Sequence, residues 1–287
     1  MSGYRLRLMT KSRESLTSSQ LSEVLISEQS SELLKELHLL TNQGQLNADA
    51  RRKLKQVNHL YQLIAPAIKD IAERFENFQI LDVGAGRAYL GFILYEIALK
   101  YLGRGEIISV EAREDLVVTG QSMAKKLGFT RMKFINSAIE VAPLPERIHL
   151  LTALHACDTA TDDAIISGLN HKADYIVVVP CCQAESARLL KDQKEGYISE
   201  LWRRPLHRRE FGSHLTNVLR TLVLESLGYD VTVTELVGWE HSLKNELIFA
   251  KKAQRENRQA RQKLAELMEQ INVQPKIIKF LIDHEAK

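Results

Sequence analysis

Four short segments of this sequence gather the residue types that do chemistry. In ILDVGAGRAYL, Asp82 stands two residues before Gly84 and four before Gly86. Glycines in such a turn let backbone approach a ligand with no Cβ in the way. A helix starting just beyond them presents unpaired N–H groups and the positive end of its dipole. EIISVEAR closes an apolar run on Glu111, 25 residues after Gly86. An acidic side chain there can accept hydrogen bonds from both hydroxyls of a ribose. LHACDTATDDAI carries His155, Cys157 and Asp158, and VVVPCCQAES carries Cys181 and Cys182. Imidazole, thiol and carboxylate groups supply general bases, nucleophiles and metal ligands.

The glycine pattern narrows the ligand. A dinucleotide fingerprint wants a third glycine three residues after the second, and Tyr89 is there instead. A pyrophosphate therefore fits poorly. An acid-bearing turn suits the methionine part of S-adenosylmethionine, whose ammonium and sulfonium are cationic. DVGAGRAYL resembles the first motif of the class I S-adenosylmethionine-dependent methyltransferases, an acidic residue followed by GxGxG. Ala88 stands where the third glycine often lies. The resemblance implies a cofactor set of Asp82, Gly84, Gly86, Arg87 and Glu111. It adds Asn136 and Ser137, at the end of the third strand, against the adenine amino group.

The elements around these motifs follow from periodicity. Up to residue 77 apolar residues recur at three and four: Leu33, Leu34, Leu37 and Leu40, then Leu54, Val57, Leu60, Tyr61, Ile64, Ile68 and Ile71. TNQGQLNAD between them reads as a helix stop and a new N-cap. Thereafter short apolar runs alternate with helical patterns: FQILDVGAG and a helix from Tyr89 to Leu102, then EIISVEA and a helix from Leu116 to Leu127. MKFINSA, HLLTALHAC and ADYIVVVPCC follow. Runs apolar throughout are strands buried on both faces, and the alternation predicts a doubly wound parallel sheet. A helix from about Ser213 to Leu227 leads into YDVTVTELVGW, and EHSLKN separates that run from ELIFAKK. So short a connection requires antiparallel strands.

An α/β, doubly wound, mostly parallel seven-stranded sheet with an antiparallel terminal hairpin is the layout associated with class I methyltransferases. We expect a helical N-terminal extension at 1–77, a methyltransferase domain at 78–252 and a charged helical tail at 253–287. The LHACD and PCCQ segments, with the DVGAG turn and the late LKNELI, resemble a branch of that class over residues 50 to 252. It includes proteins described as glutathione-transferase C-terminal-domain-containing or rRNA-dimethylase-like, and does not fix one substrate.

Three chemistries are open at the strand-four and strand-five ends. His155 or Asp158 can act as base or orienter for a nucleophilic nitrogen or oxygen. Cys157, Cys181 or Cys182 can add to a pyrimidine ring, since RNA cytosine-5 enzymes use cysteines after both strands. Zinc is the third, but no CxxC spacing exists and adjacent cysteines on a strand point apart, so no metal is assigned. Any single cysteine can equally be a small buried apolar residue. There is no [DNS]PP[YFW] tetrapeptide after strand four, which counts against an exocyclic amine as acceptor.

Partners are read from charge. The net charge is +3, with 45% hydrophobic and 26% charged residues, ordinary for a globular chain. No apolar run approaches the ~20 residues needed to span a bilayer, and the basic N-terminus lacks the apolar core of a secretory signal. Three cysteines, an odd number, suit a reducing compartment, and the reading is of a cytoplasmic protein without a membrane partner. Arg51, Arg52, Lys53 and Lys55 form one basic cluster, and Lys251 to Arg261 another. LWRRPLHRREFGSHL sets Trp202 among Arg203, Arg204, Arg208 and Arg209, as a single-stranded RNA site would. An RNA acceptor, ribosomal or transfer, is favoured. The alternatives are a non-catalytic S-adenosylmethionine- and RNA-binding module, or a methyltransferase of proteins or small molecules. Nothing in the chain points to an obligate protein partner.

Overall fold

Strands buried on both faces need helices above and below, and the computed structural model builds that sandwich. It describes residues 29–46, 48–154, 156–180, 183–236, 246–253 and 257–285. β1 (Gln79–Val83), β2 (Glu106–Glu111), β3 (Met132–Asn136), β4 (Leu150–Ala153) and β5 (Tyr175–Val178) run parallel. β6 (Tyr229–Glu235) and β7 (Glu246–Lys252) finish the sheet, β7 antiparallel both to β5 and to β6. The order is β3-β2-β1-β4-β5-β7-β6, the class I arrangement. The chain winds outward from β1 to β3, then crosses to β4. The carboxyl ends of β1 and β4 therefore flank the reversal point, where a doubly wound sheet opens its crevice. Asp82 pairs in register with Ser109 and with Thr152, and Glu111 with Asn136.

The helices, in chain order, are α1 (Ser31–Glu36), α2 (Ala48–Arg74), α3 (Tyr89–Leu94), α4 (Glu114–Lys126), α5 (Thr159–Asn170), α6 (Glu185–Leu189), α7 (Pro205–Ser226), α8 (Arg258–Ile271) and α9 (Lys276–Glu285). α3 runs on through a π turn (Tyr95–Leu99) into Lys100–Leu102. α1 is short because His38 turns left-handed, φ +55°. Ser30 caps α1 and binds Glu96 of the π turn through its backbone N–H and its hydroxyl, at 2.9 and 2.5 Å.

The stripe Leu54, Val57, Leu60, Ile64, Ile68 and Ile71 buries α2 in one cluster with Ile80 of β1 and Phe92 of α3. Each such side chain contributes roughly 1.5–3 kcal/mol when fully buried. Strand period two sends Leu81 and Val83 to the opposite face. There they join Ile165 of α5, Leu219 of α7, Leu264 of α8 and Ile277 of α9. Asp82, sharing parity with Ile80, faces the N-terminal helices.

α7 starts eight residues before the expected Ser213. Pro205 is the reason, since its fixed φ suits the first position of a helix and its missing N–H costs nothing there. The arginine-rich first turns have no apolar periodicity to reveal them. β6 runs in the same direction as β5, through two antiparallel pairings. α7 feeds the amino end of β6, so its own start lies at the carboxyl edge, with the glycine turn. The tail also returns to that edge. The Lys276 N–H donates to both carboxylate oxygens of Glu185, each at 3.1 Å.

Candidate functional site

Asp82 is 2% exposed. Thr152 on the neighbouring strand donates to its Oδ1 at 3.2 Å. Burial raises the Asp82 pKa to about 7, against the opposing pull of the Thr152 hydroxyl and the Gly91 N–H. Beyond it Gly84 and Gly86 take φ of +61° and +57°. Ala88 holds the same left-handed region at φ +54°, so the turn keeps a glycine-type backbone where the glycine itself is missing.

Glu111 staples this turn. Its Oε2 accepts from the Gly86 N–H at 2.7 Å and its Oε1 from the Arg113 N–H at 3.0 Å. Asn136 spends its amide N–H groups on the carbonyls of Glu111 and Ala112, at 3.1 and 2.9 Å. The Ser137 N–H donates to the Glu111 carbonyl at 3.1 Å. The ends of β1, β2 and β3 thus form one hydrogen-bonded rim, with Arg87 exposed beside it.

Below the rim lies a cavity of about 110 Å³, bounded by Asp82, Gly84, Tyr89 and Leu154 and by Lys53 and Gln56 of α2. Gln56 is 5% exposed, and its side chain makes no hydrogen bond to any described residue. Its amide lines the cavity, where it can bond a ligand group or water. Lys53 pairs with Asp49 at 2.8 Å and stands 6.0 Å from the Tyr89 ring. Neither residue belonged to the expected cofactor set, although Lys53 is in the first basic cluster. The signal available was a glutamine set beside the apolar stripe of α2. A much larger hollow, about 1010 Å³, opens beside the amino ends of β1 to β3, at Gln79, Glu106 and Met132. It lies at the opposite edge from this chemistry.

The turn after β4 is strained. Asp158 has φ +51° and ψ −121°, a conformation that glycine usually takes. Its carboxylate accepts from the N–H groups of Ala184 and Glu185, at 2.8 and 3.1 Å, and from Arg188 at 3.1 Å. Burial pushes its pKa up, but these donors outweigh burial and hold it below the ordinary range. Such a carboxylate is a weak base and a firm strut: it locks the β4 turn to the start of α6. Of the two roles expected for Asp158, the geometry suits orienting.

Arg220 of α7, 0% exposed, fixes the same turn from behind. It donates to Asp162 at 2.7 Å and to the Asp158 carbonyl at 2.8 Å. Cys157 is exposed. His155, Cys181 and Cys182 lie outside the described residues. Among the described residues no three His, Cys, Asp or Glu side chains converge as metal ligands.

The basic segment divides. Trp202 is 2% exposed, its ring stacked 5.3 Å from Phe211 and its indole N–H given to the Gln193 carbonyl at 2.6 Å. This corrects the expectation that it stacks on a base, because it anchors the start of α7 instead. Arg203 pairs with Glu200 and Arg209 with Glu210. Arg204 and Arg208 make no ion pair with any described residue and stand at the carboxyl edge.

Residues 52–188 match the model of a family described as a methyltransferase domain. Two relatives are named glutathione S-transferase C-terminal domain-containing protein. The Bos taurus protein is 27% identical over 141 residues, covering 49% of this chain and 20% of its own length. The Homo sapiens protein is 24% identical over 229 residues, covering 72% of this chain and 34% of its own length. The chain thus spans about a fifth to a third of these relatives. Among solved structures, it is similar to an rRNA methylase from Streptococcus thermophilus, at 11% identity and a TM-score of 0.43, covering 67% of this chain and 96% of that one. It is also similar to magnesium protoporphyrin IX methyltransferase from Synechocystis PCC 6803 with bound SAH, at 12% identity and a TM-score of 0.45, covering 78% of this chain and 95% of that one. Residues 52–188 thus match a methyltransferase-domain model, and the sheet they enter has the seven-stranded order of the class I, S-adenosylmethionine-dependent methyltransferase fold.

Proposed function

We propose that this chain binds S-adenosylmethionine at the glycine turn and transfers its methyl group to RNA. The observation that carries the cofactor reading is the cavity beside Gly84 that Asp82, Gln56 and Lys53 line together. An amino-acid group fits that set. Asp82 and the Gln56 carbonyl accept from an ammonium, and Lys53 pairs with a carboxylate. Glu111 is held at the rim for the ribose hydroxyls, with Asn136, Ser137 and Arg87 around the adenine side. The cofactor supplies an electrophilic methyl on a sulfonium. The chain's own part is positioning, with the Asp158 and Arg220 contacts fixing the strand-four turn beside it.

RNA as acceptor is supported by charge placement. Arg204 and Arg208 at the start of α7 and Arg52 and Lys55 at the start of α2 are basic groups at the edge where the cavity opens. Phosphate contacts of this kind give affinity and register.

Calorimetric titration with S-adenosylmethionine, S-adenosylhomocysteine and NAD tests the first half. Micromolar binding of the two sulfur ligands and none of NAD is expected. Absence of both, in folded protein without co-purified ligand, would sink the reading. Methyl-labelled cofactor offered with RNA and protein fractions tests the second half, and label confined to protein would move the acceptor.

A further inference from the structure

The start of α9 meets three other segments through one residue. α9 begins at Lys276, and the N–H groups of a helix's first turn have no partner within the helix. The Lys276 N–H finds Glu185 of α6, whose two carboxylate oxygens accept it at 3.1 Å each. A carboxylate there also meets the positive end of the α9 dipole. The Lys276 side chain turns to other acids. Its Nζ pairs with Asp163 of α5 and stands 3.6 Å from Glu140, in the 3₁₀ turn Ile139–Val141.

These three acids share a position in the fold. Glu140 lies on the segment leaving β3, Asp163 on the helix that follows β4, and Glu185 on the helix that follows β5. The three strands are parallel, so all three segments leave the sheet at its carboxyl edge, with the glycine turn. One lysine from the end of the chain therefore spans them. Glu140 and Asp163 are close enough to share a hydrogen bond, and without a cation between them two ionised carboxylates would repel. Burial alone would push the Lys276 pKa down, but these carboxylates outweigh it and hold the lysine above its ordinary value.

Glu185 carries the contact on to the β4 turn. Its own backbone N–H donates to Asp158 at 3.1 Å, beside that of Ala184 at 2.8 Å. The strained backbone of Asp158 persists only where its surroundings hold it. Glu185 is thus fixed twice, its side chain by α9 and its N–H by the turn. A second tie keeps the tail in register: Gln193 donates to the Asn272 carbonyl at 3.1 Å, just ahead of α9.

We propose that Lys276 is a positioning residue for methyl transfer, holding Glu140, Asp163 and Glu185 together and so fixing the segments after β3, β4 and β5 beside the cofactor site. Lys276 does not line the cavity beside Gly84, so cofactor affinity should not depend on it. The inference rests on the methyltransferase reading above and holds for any acceptor.

The test compares Lys276→Met and Lys276→Arg in the full chain, with methyl-labelled S-adenosylmethionine and whichever fraction takes the label. Lys276→Met should lower kcat about tenfold and leave KM and Kd for S-adenosylmethionine within about twofold. Lys276→Arg keeps the charge and should recover at least about half of the original kcat. Hydrogen exchange at the Ala184 and Glu185 N–H groups reads the same contact without an acceptor. Lys276→Met should speed it about tenfold, and Lys276→Arg should restore it. Asp163→Asn removes one of the bridged charges, should act in the same direction, and serves if Lys276→Met unfolds. An unchanged kcat in the folded variant, or a cofactor affinity that falls in step with kcat, would overturn the assignment. Failure of Lys276→Arg to recover activity would do the same. If no fraction takes label, the acceptor reading falls and exchange decides alone: faster exchange in Lys276→Met upholds the positioning contact, and unchanged exchange overturns it.

Discussion

Asp82 carries a pH dependence with a definite sign. Its folded pKa of about 7 lies above the ordinary carboxylate value because ionising it in the core is penalised. A cationic ligand pairs with the ionised form, so affinity for S-adenosylmethionine should rise with pH up to about 7 and then level. The slope below that point is at most about tenfold per pH unit. In the ligand-free chain the same shift acts the other way. Stability from a raised carboxyl pKa is complete below about 4 and is lost as pH climbs through 7. Asp82→Asn should flatten both curves, read by calorimetry and by urea midpoints at pH 5.5, 6.5 and 7.5. Unchanged slopes would remove Asp82 from the site. Gln56 and Lys53 are tested by a ligand pair. Gln56→Leu and Lys53→Met should each weaken S-adenosylmethionine by about tenfold. Binding of methylthioadenosine, which lacks the amino-acid group, should change less than twofold. Equal losses for both ligands would make the two residues structural. Asp82, Gly84 and Glu111 were legible because a glycine turn and an acid on the next strand repeat as a local pattern. Gln56 was not, because only folding brings α2 over β1 and turns a polar flank of its apolar stripe into a pocket wall.

At the scale of elements, the ends of β4 and β5 are held in place by close packing behind them. A Cβ at Gly212 of α7 would lie 2.7 Å from the Ala187 backbone nitrogen of α6. Backbone cannot swing aside as a side chain can, so Gly212→Ala should cost about 1–3 kcal/mol in urea denaturation. A neutral result would show that α6 can shift freely. Arg220→Met leaves Asp162 buried without its cation, and a cost of about 3–5 kcal/mol is expected by the same measurement. A loss under 1 kcal/mol would mean that Asp162 is neutral without it. Neither contact was readable beforehand. Asp162 is one of two adjacent acids in TATDDAI and Arg220 one arginine among many in the chain, and nothing local pairs residues 58 positions apart. The antiparallel β6–β7 pair was readable, because a connection too short for a crossover leaves a single geometry. The start of α7 was misplaced because helix onset at Pro205 is a local steric matter that hydrophobic periodicity does not register.

For the whole molecule, the decisive quantity is where unneutralised charge lies. A net charge of +3 says little, and two of the four arginines at the start of α7 are tied to acids: Arg203 to Glu200 and Arg209 to Glu210. Arg204 and Arg208 have no acidic partner among the described residues, on the edge that also holds the glycine turn. If they meet phosphate, each releases about one counterion on binding, and affinity for single-stranded RNA falls with salt accordingly. Arg204→Ala and Arg208→Ala should each reduce the slope of log affinity against log salt by about 0.7. The loss should be the same for RNAs of different sequence, because phosphate contacts carry no base information. Arg203→Ala and Arg209→Ala should reduce it less, since their acids already neutralise them. Salt titrations of the four variants by fluorescence anisotropy separate the two groups. Equal reductions from all four would mean that the helix start acts as a diffuse positive field with no placed contacts. No reduction from Arg204→Ala or Arg208→Ala would send the search for the RNA path to Arg52 and Lys55 at the start of α2, across the same cavity.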